Sequence, residues 1–127
     1  MAYIKKEIRE RVWRKYEKKC AYCGCELEYK KMQVDHIIPV WRGCENGNPY
    51  GLPTGTNDIE NLNPSCARCN RWKSAHSLEF FRDEISKQIE RLKRDSSNFR
   101  MALDYGMITA TNKPIEFWFE RCQKLNC

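Results

Sequence analysis

Two cysteine pairs of identical spacing, Cys20-x2-Cys23 and Cys66-x2-Cys69, constrain this chain more than any other feature. A tetrahedral zinc ion takes four deprotonated thiolates or imidazoles, and a gap of two residues lets one backbone turn aim two sulfurs at a common point. Ordinary buried thiols have no reason to repeat that spacing. Four sulfurs close the coordination shell, so such a site is structural and not catalytic. It would clamp the two ends of segment 24–65 together and make metal binding part of folding. Cys25 lies two residues from Cys23 and competes as a ligand, but the x2 spacing favours Cys20. Cys44, Cys122 and Cys127 lie outside the knuckles and, with Cys25, are expected as free thiols.

Eight cysteines in 127 residues would form a disulfide framework in a secreted chain. The opening "MAYIKKEIRERVW" carries charge throughout and has no apolar h-region, so a reduced, cytoplasmic setting is expected. The composition is 41% hydrophobic and 31% charged, and the mean hydropathy is −0.80. That describes a polar globule. No apolar run approaches the roughly 18 residues of a membrane span, so no membrane partner is expected. The length suits one domain, 1–127, with one modest core.

The net charge of +6 is unevenly placed. Residues 1–19 carry eight Lys/Arg against three Glu, whereas the remaining 108 residues hold 15 basic and 14 acidic side chains. A concentrated positive segment suits a polyanion such as nucleic acid. A solvated helix face serving solubility explains the same charges.

Periodicity places an amphipathic helix over 4–19, with Ile4, Ile8, Val12 and Tyr16 recurring every four residues. The knuckle "CAYCGC" follows, and 26–40 alternates as one hairpin or two short strands. From 41 to 60 the chain is rich in Gly, Pro, Asn and Thr and reads as a long ordered loop, of a length usually functional or disordered. Pro64 then ends an extended stretch, Ser65 caps, and 66–74 makes a short helix. A further helix from Ser77 sets Leu78, Phe81, Ile85, Ile89 and Leu92 on one face. Another, 98–105, stops at Gly106, a good residue just past a helix end. The alternation of Ile115, Phe117 and Phe119 favours a strand over a last helical turn. The organisation is thus a basic helix (1–19), a zinc-clamped core (20–75) and a helical extension (76–127).

Within the clamp, "QVDHIIPV" sets Asp35 and His36 inside an apolar frame of Val34, Ile37, Ile38 and Val40. A buried, unpaired carboxylate costs several kcal/mol, so a plain core strand would not contain one. A histidine side chain titrates at about 6.5 in water and can take a proton near neutral pH. Adjacent strand residues point to opposite faces, so Asp35 and His36 share one site only where the strand twists or frays.

The run "C-A-Y-C … V-D-H-I-I-P … E-N-L-N-P-S-C-A-R-C-N-R-W-K", Cys20 to Lys73, resembles the zinc-clamped HNH endonucleases found among phage and mobile-element proteins. The resemblance implies an α+β chain with a ββα-metal core, a hairpin and a helix gripping one divalent cation. It implies that His36 is the general base and that Asn61 holds the loop and orients the histidine. Asn70 stands where the last histidine of the motif usually lies, which gives an H-N-N version with the amide oxygen as a metal ligand. Asp35 matches the acidic ligand beside the base. Oxygen donors from Asp35 and Asn70 suit Mg²⁺ or Mn²⁺, with waters and phosphate oxygens completing the shell. The products implied carry 5′-phosphate and 3′-hydroxyl ends.

Arg68, Arg71 and Lys73 share the short helix as candidate phosphate contacts, Lys73 also matching a recurrent family lysine. His76 is a surface residue in this reading, and Trp41 and Trp72 are packing residues. The expected function is metal-dependent hydrolysis of DNA phosphodiester bonds, on double-stranded DNA, by a monomer or weak dimer of possible phage origin. One alternative is a zinc-stabilised nucleic-acid-binding module without nuclease activity. Another is a subunit of a packaging or recombination machine that docks through 77–127.

Overall fold

The computed structural model describes residues 4–41, 51 and 53–127. Residues 42–50 and 52 of the expected 41–60 loop, Cys44 among them, lie outside the described residues. The described residues divide into two compact units, Met1–Leu78 with Glu116–Cys127, and Glu79–Ile115.

In the first unit, α1 (Lys6–Arg14) buries Val12 and ends five residues before the expected helix does. The backbone turns left-handed at Glu17 (φ 62°) and Lys18 (φ 60°), a conformation no α-helix can continue through. Lys19 then bridges Glu26 across the cysteine knuckle. Two of the basic side chains counted as free charge are absorbed by the fold. Arg9 donates to the carbonyls of Tyr29 (2.8 Å) and Met32 (2.7 Å), and the Lys15 ammonium donates to those of Ile59 (2.7 Å) and Leu62 (2.8 Å). Burial lowers the pKa of Lys15, partly offset by Glu60.

Strands β1 (Gln33–His36) and β2 (Leu62–Ser65) pair antiparallel, with Asp35 opposite Asn63 and His36 opposite Leu62. A single 3-10 turn, Ile59–Asn61, leads into β2. The chain then enters α2 (Ala67–Lys73), so β1, β2 and α2 form the ββα unit of an α+β fold. Two boundaries differ from the sequence reading. Pro64 lies inside β2, and Cys66, not Ser65, caps α2 by accepting from the Cys69 amide at 3.4 Å.

The tail is helical and not a strand. Helix α6 (Trp118–Leu125) starts where the Phe117 amide donates to Glu120 Oε1 at 2.9 Å, a side-chain cap that fixes the first turn. Its backbone closes on the knuckle, from Trp118 N to the Tyr22 carbonyl (3.1 Å) and from Phe119 N to the Ala21 carbonyl (2.8 Å). The core there comprises Tyr16, Ala21 and Cys122, with Trp118 and Phe119 packed against it. Cys122 and Cys127, expected as free thiols, are joined as a disulfide.

In the second unit the expected helix from Ser77 is two helices, α3 (Leu78–Ser86) and α4 (Gln88–Asp95), interrupted at Lys87. Leu92, assigned to the apolar face, is exposed. Helix α5 (Ser97–Asp104) is capped by Ser96 Oγ, which accepts from Phe99 N at 3.1 Å, and Gly106 follows at φ +69°, as the sequence predicts. Arg100 ties α5 to the end of α4 through the carbonyls of Lys93 (2.6 Å) and Arg94 (3.1 Å). Among the described residues, no helix is long and apolar enough to cross a membrane.

Beyond β1, Gly55 donates its amide to the Pro39 carbonyl at 2.8 Å. A Cβ at this position would fall 1.7 Å from the Ile38 carbonyl oxygen and 2.7 Å from Asn61 Nδ2. Only glycine permits that approach. We therefore expect Gly55→Ala to destabilise the first unit by about 1–3 kcal/mol, as overpacking does. Urea denaturation followed by tryptophan fluorescence measures it, and an unchanged midpoint would contradict the packing described.

Candidate active site

The two cysteine knuckles converge. The first closes through Cys20 N to the Cys25 carbonyl (2.8 Å) and Gly24 N to the Cys20 carbonyl (3.0 Å), with Gly24 at φ +77°. The second is the start of α2. The sulfurs of Cys20, Cys23, Cys25 and Cys66 all lie within 4.8 Å of one another, and Cys23 and Cys66 are 3.9 Å apart. Cys69 adjoins them by side-chain hydrogen bonds with Cys20 and Cys66. The hydrogen bond with Cys69 lowers the pKa of Cys20 to about 4, and the same contact raises that of Cys69. Cys25 is pushed up to about 12, first by burial and then by Cys23. Arg68 lies against Cys69 and Cys23, and these contacts raise its pKa. A set of soft sulfur donors can hold a metal such as zinc. Sequence spacing left Cys25 outside this set, but the structure puts it inside.

The strand bearing Asp35 and His36 inverts the expected pattern. Asp35 is 4% exposed, whereas Ile38 is 43% exposed, so the charged residue is the one the core takes in. Three elements meet at its carboxylate. Tyr22 of the knuckle donates its hydroxyl to Oδ2, and Lys73 of α2 pairs with that same oxygen at 3.2 Å. The Lys73 ammonium also donates to the His36 carbonyl at 3.0 Å and is itself 0% exposed. Burial raises the pKa of Asp35, against the opposing pull of Lys73 and Tyr22. Burial also raises that of Tyr22, reinforced by Asp35. Lys73, expected to reach phosphate, thus has its charge engaged inside the fold. Across the ladder, Asn63 is fully buried, with Nδ2 donating to the Tyr22 hydroxyl at 3.4 Å.

His36 is half-buried, and its Nε2 lies 2.7 Å from Asn57 Oδ1. An amide oxygen only accepts, so Nε2 carries the hydrogen and the neutral ring keeps its basic lone pair on Nδ1. Asn61 holds the following turn as a backbone strand would. Its Oδ1 accepts from Ile38 N (2.8 Å), and its Nδ2 donates to the carbonyls of Ile38 (3.0 Å) and Thr56 (2.8 Å). The Asn61 carbonyl also accepts from Ile37 N at 2.9 Å. Asn61 therefore acts on the loop and reaches His36 only through it.

On α2, Asn70 donates Nδ2 to Gln33 Oε1 on β1, leaving its own amide oxygen as an acceptor. Asp35, His36, Asn57, Asn70 and Arg71 line one open cavity of about 470 Å³. Arg68, Arg71 and His76 are exposed, and Trp72, read as a packing residue, is 46% exposed. Trp41 is half-buried and donates its ring N–H to the Pro53 carbonyl at 3.2 Å. The sequence reading missed Gln33, Asn57, Asn63 and Tyr22, because their partners are 13 to 41 positions away.

This arrangement has a counterpart among known proteins. The model of the family described as HNH endonuclease matches residues 20–76. Residues 20–76 are an HNH endonuclease-family segment. The chain is also 40% identical over 60 residues to the Septu protein PtuB of Bacillus thuringiensis, which covers 46% of this chain and 20% of that protein. It superimposes on the crystal structure of the Type II-C Cas9 enzyme from Actinomyces naeslundii with a TM-score of 0.50 and 29% identity, over 66% of this chain and 9% of that one. The chain thus spans about a fifth of the Septu protein and less of the Cas9.

Removing one partner of a buried ion pair strands the other charge, at a cost of about 3–5 kcal/mol. We expect Lys73→Met to destabilise the HNH segment by this amount, and Asp35→Asn added to it to restore part of the loss. Urea midpoints of the single and double variants measure both effects. Equal midpoints for Lys73→Met and the unaltered chain would contradict the pairing.

Proposed function

We propose that this chain is a metal-dependent HNH endonuclease hydrolysing DNA phosphodiester bonds, with zinc in the cysteine cluster and Mg²⁺ or Mn²⁺ in the cavity beside His36. The observation that carries this reading is that one open cavity collects Asp35, His36 and Asn70, an acid, a base and an amide oxygen, from β1 and α2. The oxygen donors of Asp35 and Asn70 fit a hard cation, and Gln33 favours that fit by accepting from the Asn70 amide nitrogen, which leaves its oxygen free to face the cation. A divalent cation held there would supply positive charge against the phosphate and its leaving oxygen.

The chain's own residues account for the rest. Asn57 fixes Nε2 of His36, which directs Nδ1 to take the proton from an attacking water. Asn61 keeps the turn after β1 closed, so that His36 does not swing with the loop. Arg71 at the cavity is an exposed cation suited to a flanking phosphate, a contact that positions the strand without reading its sequence, whereas Arg68 on α2 is engaged by Cys69 and Cys23.

One observation favours the other reading, a nucleic-acid-binding module without nuclease activity. The Asp35 carboxylate already has Lys73 and Tyr22 as partners. Incubation of supercoiled plasmid with Mg²⁺ or Mn²⁺ decides between them. We expect nicking or linearisation that EDTA stops, and a loss of at least about 100-fold in His36→Ala, the lower end of what a general base contributes. Zinc content should be unchanged in that variant. Binding without cutting in every metal, or cutting by His36→Ala at the original rate, would overturn the nuclease reading.

A further inference from the structure

We propose that the sulfur site is a five-thiol site, in which Cys25 and Cys69 share the fourth ligand position beside Cys20, Cys23 and Cys66. This rests on the reading that the cluster takes zinc. A tetrahedral shell with zinc–sulfur bonds of about 2.3 Å needs sulfurs about 3.8 Å apart. Cys23 and Cys66 already stand at 3.9 Å, and Cys25 falls with Cys20, Cys23 and Cys66 in a set no wider than 4.8 Å. Cys69 contacts the same set from α2, through Cys20 and Cys66. Both candidates for the fourth position are therefore in reach, one from each knuckle.

The backbone explains why Cys25 is available. Gly24 reverses the chain at φ +77°, and the Cys25 carbonyl is held to Cys20 N at 2.8 Å, so Cys25 is drawn back beside the residue that begins the knuckle. A Cβ on Gly24 would meet the Trp118 side chain at 3.5 Å, so α6 backs the turn from outside. Zinc takes four sulfurs, which leaves one of the five as a neutral thiol able to donate to a coordinated sulfur. Four thiolates on one divalent ion carry a net charge of −2, and Arg68 against Cys69 and Cys23 offsets part of it. Loss of either Cys25 or Cys69 leaves a complete tetrahedral set, whereas loss of both does not.

The test measures bound zinc in the full chain, with the Co²⁺-substituted spectrum reporting thiolate number. We expect Cys25→Ser and Cys69→Ser each to keep one zinc per chain and a four-thiolate Co²⁺ spectrum. The double variant should lose zinc affinity by more than the about 10–100-fold that outer-shell changes cost. One zinc in the unaltered chain but none in a folded Cys69→Ser overturns the role of Cys25 alone. No zinc in the unaltered chain overturns the zinc reading itself. A second measurement needs no variant: alkylation of Cys25 should be slowed in zinc-loaded protein and released by a chelator. Equal labelling of Cys25 with and without zinc overturns the proposal even if Cys69→Ser fails to fold.

Discussion

The ion pair between Asp35 and Lys73 is the contact around which the HNH segment is arranged. It joins β1 to α2, and through the Tyr22 hydroxyl it reaches the cysteine knuckle, so three elements distant in sequence meet at one carboxylate. Both partners are almost wholly removed from water. Such a pair gains little over a well-packed apolar substitute, but it is costly to break, so it specifies one arrangement more than it stabilises it. The Lys73 ammonium also donates to the His36 carbonyl, and so holds the Asp35 side chain and the His36 backbone together. Asn63, buried opposite Asp35 on the ladder, adds a bond to the same Tyr22 hydroxyl.

Around that centre the site is held by amides. Asn61 replaces a missing strand by bonding both backbone groups of Ile38, and Gly55 lets the loop approach closely enough for that to happen. Asn57 sets the histidine ring, and Gln33 sets the Asn70 amide. Each uses a neutral group, which adds no competing charge to a cavity that collects an acid, a base and an arginine. The sulfur cluster does its work at the other end of α2. Cys66 caps the helix while its sulfur faces the first knuckle, so one residue both starts the helix and joins the clamp.

Much of this was legible in the sequence where spacing alone carries the information. The CxxC pairs, the first helix and the stop at Gly106 rest on local rules, whereas the ββα order follows from the resemblance to the HNH endonucleases. What was not legible depends on partners far along the chain. Lys73 reads as a surface cation on a short helix until Asp35 lies across from it. Cys25 reads as a spare thiol until Gly24 turns the chain back. The alternation of Ile115, Phe117 and Phe119 suggested a strand, but Glu120 caps the Phe117 amide and converts the same residues into a helix start. The long amphipathic pattern after Ser77 could not reveal its break at Lys87, since periodicity survives a one-residue interruption.

The central claim is that the cavity beside His36 takes a divalent cation, separate from the sulfur site. Paramagnetic broadening tests it most directly, with Mn²⁺ titrated into the zinc-loaded, ¹⁵N-labelled chain. The amide signals of Asp35, His36 and Asn70 should broaden first, while those of Cys20, Cys23 and Cys66 keep their intensity until higher Mn²⁺. Uniform broadening, or broadening that begins elsewhere and leaves His36 sharp, would contradict the account.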